Sequence, residues 1–218
     1  LYTGNGSTQS ITSLDFQPDL VWTKQRSSPD RDHQLNDSVR GANKILYPNL
    51  NNAEDTAGGV GSAYFNSFDS NGFTVGSSNY YNGSSLDYVA WNWRAAGFAN
   101  AFNVLENGTV TTSSSAATAG ITAGSITTGW NVSANRDAGF SVVTYTGNTT
   151  AGAAIGHGLD NRPELIFFKR RNAPNNWLTL QTIEGVGGYL DLTNAFSTSN
   201  YNAWVNNTSP TDTLVTLN

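Results

Sequence analysis

Apolar residues along the chain form short runs with turn-forming residues between them, and two of these runs are alike. Residues 20–23 and residues 165–168 each lie just after a proline and are almost entirely apolar. Short runs without polar alternation are typical of strands that are buried on both faces. We therefore expect both runs to be core strands, with Trp22 and Phe167 pointing inward.

Other segments have the composition of β-strands. Residues 72–75, 88–93 and 140–145 are rich in the β-branched and aromatic residues that strands favour. Turn signals separate the segments: Asn5-Gly6, Asn71-Gly72, Asn82-Gly83, Asn107-Gly108 and Gly187-Gly188. The alanine-rich stretch at residues 95–101 is short and contains Gly97, so it is a poor helix. The pattern predicts an all-β protein with no significant helix.

The chain also repeats itself. Tyr-Thr-Gly-Asn at residues 2–5 recurs at residues 145–148, and Pro-Asp-Leu-Val-Trp-Thr-Lys-Gln-Arg at residues 18–26 recurs as Pro-Glu-Leu-Ile-Phe-Phe-Lys-Arg-Arg at residues 163–171. Shorter matches in the same order are Ser28-Pro29 with Ala173-Pro174 and Val39-Arg40-Gly41 with Ile183-Glu184-Gly185. Coincidence in a chain rich in Asn, Gly and Thr is the alternative, but collinear matches favour an internal duplication.

The duplication predicts two tandem antiparallel β-sandwich modules of the jelly-roll type. The expected divisions are a first module at 1–107, a small-residue stretch at 108–136 and a second, homologous module at 137–218. Residues 109–129 are nearly all Thr, Ser, Ala, Gly and Ile, which fits either a flexible linker or weak strands. The motif at residues 88–93 has no counterpart after Trp204, so the second module is either truncated or diverged at its end.

Composition and charge argue against several classes of function. The net charge is −5, and the one basic run, Lys169-Arg170-Arg171, ends an apolar strand, whereas nucleic-acid binding needs Lys and Arg clustered on one face. The chain has no cysteine, so disulfides and thiolate metal sites are excluded. No window approaches the ~20 apolar residues of a membrane span. We expect no cofactor, no nucleic-acid partner and no membrane insertion.

Few residues are candidates for catalysis. His33 and His157 are the only histidines, and no Gly-x-Ser-x-Gly motif accompanies them. Glu164 aligns with Asp19 in the repeat, and each acid precedes a Lys-x-Arg motif. We interpret this acid as half of a structural ion pair rather than as a glycosidase carboxylate. The sequence therefore predicts a non-catalytic protein with no catalytic residue.

Calcium is the metal that the loops would suit best. Asp69-Ser70-Asn71-Gly72 and Asp30-Arg31-Asp32 carry oxygen ligands. The first lacks the downstream glutamate of an EF-hand, and Asp-x-Asn-Gly is more often a hairpin turn. We predict no metal site, and calcium at these loop acids is the open alternative.

Aromatic residues in asparagine-rich segments are the candidate binding residues. Tyr80 and Tyr81 lie between two asparagines, a combination that suits an exposed carbohydrate or protein contact surface. Trp177 and Trp204 lie in similar segments. Trp91 and Trp93 alternate along one strand and so share a face; we interpret them as core residues.

Taken together, the motifs resemble repeat modules of tail-fibre and other virion proteins of marine and cyanobacterial phages. They are Tyr-Thr-Gly-Asn-Gly at 2–6, Phe-x-Pro-Asp-Leu-Val-Trp-x-Lys at 16–24, Asp-Ser-Val-Arg-Gly at 37–41, Asp-Ser-Asn-Gly-Phe-Thr-Val-Gly at 69–76 and Tyr-Val-Ala-Trp-x-Trp at 88–93. The second copy has Asp-Ala-Gly-Phe at 137–140 and Gly-His-Gly-Leu at 156–159. The resemblance implies a role on the virion surface and identifies no catalytic residue.

The function implied by the resemblance is that of a tail fibre or appendage protein, part of a longer chain on an extracellular particle. Its partners would be other virion proteins and a host glycan or outer-membrane protein. The alternatives are a capsid decoration or cement protein, and a secreted carbohydrate-binding protein or glycan-active enzyme. Edge strands with few blocking charges predict a homo-oligomer, and the analogy with phage fibres makes it a trimer. Host, ligand and full chain length stay open.

Overall fold

A computed structural model describes residues 1–27 and 30–218, which form two compact units. Unit 1 comprises Leu1–Gly97 and Arg170–Asn175, and unit 2 comprises Phe98–Lys169 and Asn176–Asn218. The division of the chain at residue 107 stays a prediction. The repeat match at Ser28-Pro29 lies outside the described residues.

Unit 1 is a pair of antiparallel sheets with one core between them. Its strands are β1 (Tyr2–Thr3), β2 (Gln9–Ile11), β3 (Leu20–Gln25), β4 (Gln34–Asp37), β5 (Phe65–Asp69), β6 (Gly72–Val75) and β7 (Asp87–Trp93). One sheet has the order β1-β7-β3-β4 and the other β2-β6-β5. Val21 from the first sheet and Phe65, Phe73 and Val75 from the second are fully buried in one cluster, so these faces form the core.

Unit 2 consists of three sheets. Its strands are β8 (Phe102–Glu106), β9 (Thr109–Ser113), β10 (Asn131–Asn135), β11 (Phe140–Thr144), β12 (Ala154–Gly156), β13 (Leu165–Phe168), β14 (Leu178–Gln181), β15 (Val186–Tyr189) and β16 (Leu214–Thr216). The sheet orders are β11-β10-β8-β9, β13-β14-β15 and β12-β16. Pairing is antiparallel except between β8 and β10, which run parallel.

The predicted all-β class is confirmed, with one short helix as the exception among the described residues. Helix α1 spans Thr198–Trp204. The Ser197 side chain caps it by accepting a hydrogen bond of 3.2 Å from the Asn200 amide, and the ring of Tyr201 is buried. In the part of the chain described, no helix is long and apolar enough to cross a membrane.

The internal duplication is visible in the strand registers. β2 pairs with β6 as β12 pairs with β16, and β3 pairs with β4 as β13 pairs with β14. The repeated motifs make Leu20–Asp37 and Leu165–Gln181 equivalent pairs. Because register fixes which side chains share a face, Leu165 and Phe167 are the structural counterparts of Leu20 and Trp22.

The small-residue stretch at 108–136 contains two strands and two buried isoleucines. It supplies β9 and β10, and Ile121 and Ile126 in it are buried. The predicted turn at Asn107-Gly108 joins β8 to β9 with both residues at positive φ, 51° and 73°, the geometry that makes Asn-Gly favourable in a two-residue hairpin. Residues 109–113 and 131–135 of this stretch are therefore strands.

The expectation that Trp22 and Phe167 point inward is wrong. Burial alternates along β3, where Val21 and Thr23 are completely buried and Trp22 lies on the opposite, half-buried face. Phe167 remains 44% exposed. Every residue of these runs is large enough to pack in a core, so apolarity alone does not reveal which of the two alternating sets faces it.

Replacement of Phe73 by alanine should destabilise unit 1 strongly. The ring is fully buried between the sheets and stacks on Phe65 with centroids 5.6 Å apart, so Phe73→Ala should lower the free energy of unfolding by about 3–5 kcal/mol. Chemical denaturation followed by circular dichroism measures the change. Phe98→Ala is the control because Phe98 is 43% exposed, and its effect should stay within about 0.5 kcal/mol. Equal shifts for both variants would contradict the assigned core.

Candidate functional site

The structure places the predicted binding residues in different environments. Tyr81 is completely buried in the core of unit 1, and its hydroxyl donates a 2.8 Å hydrogen bond to Asn36 Oδ1. Burial raises the pKa of Tyr81 well above its ordinary value. The expectation that Tyr81 lies on an exposed loop is therefore wrong, because its side chain is a structural element of the core.

Tyr80 is half-buried at the periphery of the same core. Its ring stacks near that of Tyr64, with centroids 6.3 Å apart. The Arg31 guanidinium lies 4.9 Å from the Tyr80 ring centroid, a distance at which a cation is attracted to an aromatic face. Because neighbours already contact the ring, Tyr80 offers little open face to a ligand.

The two tryptophans predicted for binding both belong to unit 2. Trp177 is 4% exposed, so its expected availability to a ligand is also wrong. Trp204 lies on α1, half-buried, with its ring 5.3 Å from that of Tyr189. Gly187 leaves room for this indole, since a Cβ at that position would come within 2.9 Å of it.

A more exposed aromatic group lies on the outer face of unit 1; we call Trp22, Trp91 and Trp93 the indole surface. The register of β3 and β7 sets Trp22 opposite Trp91 and Leu20 opposite Trp93, and opposed residues share a face of the sheet. The Trp22 and Trp91 rings meet edge to face with centroids 6.1 Å apart. Trp91 is 46% exposed and Trp93 36% exposed, which is unusual for large apolar side chains in the middle of a sheet.

His33 fixes the orientation of one of these rings. Trp22 Nε1 donates a 2.9 Å hydrogen bond to His33 Nδ1, and the two rings lie edge to face at 5.7 Å. Burial and the nearby charge of Lys24 lower the pKa of His33. The imidazole is therefore neutral at pH 7, which keeps Nδ1 available as an acceptor.

Sequence reasoning found the alternation of Trp91 and Trp93 but assigned it to the core. The alternation was the correct signal, since it places both indoles on one face. The information missing from the sequence was the neighbour of β7. The pairing of β7 with β3 places Trp22 on the same face as Trp91 and Trp93. It also shows that Val21 and Thr23 face the core on the other side of the sheet.

The candidate catalytic groups have structural environments. His157 is buried, Leu159 N donates to its Nδ1 at 3.3 Å, and its Nε2 lies 3.3 Å from the Thr211 carbonyl oxygen. Both ring nitrogens thus face the main chain. That the protein is not an enzyme stays a prediction.

In place of the expected ion pair, the structure gives Asp19 neutral hydrogen-bond donors, while the ion pair of Glu164 stays a prediction. Asp19 is buried and accepts hydrogen bonds from Ser38 Oγ at 2.7 Å and from Ala95 N at 2.7 Å. These neutral donors stabilise a carboxylate taken out of water. Its counterpart Glu164 is exposed.

The loop acids considered for calcium accept hydrogen bonds from nearby side chains. Asp69 ends β5, and its two oxygens accept 2.7 Å hydrogen bonds from Ser67 and Thr74. Asp32 accepts a hydrogen bond of 2.8 Å from Asn49. Residues 1–27 and 30–218 contain no group of three or more acidic or histidine side chains placed to hold a metal ion.

The family model described as Domain of unknown function (DUF7483) matches the chain twice, over residues 1–121 and 112–218. The two matches together span the whole chain, so the protein belongs to this family and contains two copies of its domain. This confirms the internal duplication. No curated protein and no solved structure matches the chain.

Removal of one buried hydroxyl should distinguish the two adjacent tyrosines. Tyr81→Phe leaves the buried Asn36 Oδ1 without its 2.8 Å donor, so the free energy of unfolding should fall by about 1–3 kcal/mol. Tyr80→Phe is the matched control and should change it by less than about 0.5 kcal/mol. Denaturation midpoints of both variants measure the difference, and a larger loss for Tyr80→Phe would contradict the assignment.

The stability of the protein should fall in mild acid. His33 and His157 both have pKa values lowered by burial from the ordinary value of 6.5, so the unfolded chain binds protons first as the pH drops. Stability should be complete above about pH 7 and decline below about pH 6.5. Thermal unfolding measured across this range tests the sign.

The variant His33→Gln isolates one contribution to this acid response. It should remove part of the acid-dependent loss and leave the part due to His157. A midpoint that rises as the pH falls through 6.5 would contradict the direction of both shifts.

Proposed function

We propose that this two-module chain of the DUF7483 family is a non-catalytic segment of a phage virion appendage that contacts the host surface through the indole surface. The observation that carries the proposal is the row of Trp22, Trp91 and Trp93 on the outer face of a sheet, with two of the rings more than a third exposed. Contiguous exposed apolar groups mark interaction sites on soluble proteins.

The chemistry of the surface favours a saccharide ligand. Indole rings pack against the apolar faces of sugar rings and also offer an N–H donor at their edge. The protein has only 12% charged residues, so attraction of a charged partner is a weaker basis for contact. We therefore infer a neutral or weakly charged host glycan as the ligand.

The surface is organised before any ligand arrives. β7 is hydrogen-bonded to β1 on one side and to β3 on the other, and His33 holds the Trp22 ring through a 2.9 Å hydrogen bond. Side chains that are already ordered lose little entropy on binding. A rigid aromatic face of this kind suits repeated contacts with a cell surface.

The placement on a virion rests on the repeat motifs that resemble phage fibre modules. The predicted partners, other virion proteins and further copies of the same chain, fit sheets with edge strands that carry few charges. The trimer remains a prediction from that resemblance. Light scattering on the full-length protein measures it, and a monomer at micromolar concentration would contradict it.

Truncation of one indole should weaken glycan binding. A glycan array probed with the labelled protein identifies a ligand, and titration then gives the affinity. Trp91→Ala should reduce this affinity about tenfold or more, in the range expected for a central aromatic contact. Trp91→Phe keeps a ring and should retain part of the affinity.

The control is Phe98→Ala, because Phe98 is 43% exposed and lies outside the indole surface; its affinity should equal that of the unsubstituted protein. Equal losses in Trp91→Ala and Phe98→Ala would contradict the proposed site. A hydrolysis assay on the bound glycan tests the enzyme alternative, and turnover would overturn the non-catalytic assignment. Labelling of the protein on virions separates an appendage from a capsid decoration.

A further inference from the structure

The indole surface contains a hydrogen bond that depends on the protonation state of one residue. Trp22 Nε1 donates to His33 Nδ1 at 2.9 Å, and an indole N–H can donate but never accept. The imidazole therefore has to present Nδ1 as an acceptor, which requires the neutral ring with its proton on Nε2. The contact exists in only one of the two protonation states of His33.

Protonation turns this contact into an unfavourable one. Both nitrogens of an imidazolium carry protons, so Nδ1–H would face the Trp22 N–H and neither group could accept. The two rings lie edge to face with centroids 5.7 Å apart, and the indole presents the edge that carries Nε1. Aromatic edges have positive potential, whereas a cation–π interaction needs the cation over the ring face. Protonation of His33 and the hydrogen bond from Trp22 therefore exclude each other.

Charged groups act on the imidazole from both elements next to it. Burial lowers the pKa of His33 from its ordinary value of 6.5, and the Lys24 ammonium on β3 lowers it further. The Asp32 carboxylate on the loop before β4 opposes both effects. Asn49, a third neighbour, has no charge and accepts a hydrogen bond from His33 N. The charged imidazolium therefore becomes the major form only at a pH below 6.5.

The main chain around His33 is fixed by contacts that do not involve the imidazole. His33 N donates to Asn49 Oδ1 at 2.9 Å, and Asn49 Nδ2 donates to Asp32 Oδ1 at 2.8 Å. Trp22 is half-buried on the outer face, where its ring meets that of Trp91 with centroids 6.1 Å apart. Loss of the imidazole contact therefore frees the Trp22 ring, and rotation of that ring alters its contact with Trp91.

We propose that His33 is a positioning residue that makes the indole surface pH-dependent: the neutral imidazole holds the Trp22 ring in place, and the imidazolium releases it in mild acid. The expected effect on saccharide binding rests on the proposed function, whereas release of the ring is a property of the protein alone. A saccharide that needs the ordered ring binds the neutral form better, so its affinity should fall as His33 gains a proton.

The indole N–H signals of the protein test the release of the ring without any ligand. The chain has six tryptophans, and the variant Trp22→Phe identifies the signal of Trp22 in the ¹⁵N-labelled protein. Between about pH 7.5 and about pH 5, this signal should shift with the same midpoint as the His33 ring signals, below 6.5.

Two outcomes of this titration would overturn the proposal. One is a Trp22 signal that stays constant while the His33 ring gains its proton. The other is simultaneous loss of the dispersed signals of all six tryptophans, because acid would then unfold the chain and not release one ring. Circular dichroism over the same pH range distinguishes unfolding from a local change.

A matched pair of variants separates the two histidines. Glutamine can accept through Oε1 but cannot gain a proton, so the Trp22 signal should be independent of pH in His33→Gln. His157→Gln should leave the Trp22 titration unchanged, since His157 belongs to unit 2 and its ring nitrogens face the main chain. A purely structural His33 would change stability in His33→Gln without any pH-dependent Trp22 signal in the unsubstituted protein, and that result would contradict the positioning role.

A glycan array probed with the labelled protein at about pH 7.5 and about pH 5.5 connects the ring to binding. The unsubstituted protein should bind its glycans about tenfold or more weakly at the lower pH, and His33→Gln should show similar affinity at both. Equal losses in the two proteins, or no loss in the unsubstituted one, would overturn the pH dependence of binding. Binding to no glycan at either pH would contradict the proposed function instead, and the Trp22 signal would still decide whether the ring is released.

Discussion

The structure of unit 1 depends on the hydrogen bonding of β3 along both of its edges. This strand joins β4 to β7 and buries Val21 and Thr23 on the core side. A strand in this position needs partners for the N–H and C=O groups of every residue, because buried main-chain groups without partners cost free energy. The Trp22 side chain is then left on the outer face, where β7 adds Trp91 and Trp93. The core and the candidate binding surface therefore lie on the two opposite faces of the sheet that contains β3 and β7.

Asp19 links this pairing to the chain that follows β7. Its carboxylate is buried and accepts hydrogen bonds from Ser38 Oγ and from the amides of Ala95 and Gly97. A buried carboxyl group in such a place requires hydrogen-bond partners, since burial without them is unfavourable. The acid that sequence comparison between the repeats singled out is thus a clamp for β7 and not an ion-pair partner.

Much of the fold could be predicted from local patterns, and the errors have a common cause. The strand at residues 72–75 and the hairpin at Asn107-Gly108 follow from composition and turn chemistry, which are local, and the duplication follows from motifs that recur along the chain. The facing of Trp22 and the burial of Tyr81 depend on which strands become neighbours, and this information is non-local. Adjacent apolar residues such as Leu20, Val21 and Trp22 fit either register, so the sequence leaves two faces equally plausible.

Weak local signals explain the remaining differences. Helix α1 is composed largely of Ser, Thr and Asn, residues with low helix propensity. The Ser197 cap and the burial of Tyr201 stabilise the helix despite this composition. The strands β9 and β10 are rich in small and polar side chains, so hydrophobicity alone predicts them poorly. Both strands pair with β8, and Ile121 nearby is buried.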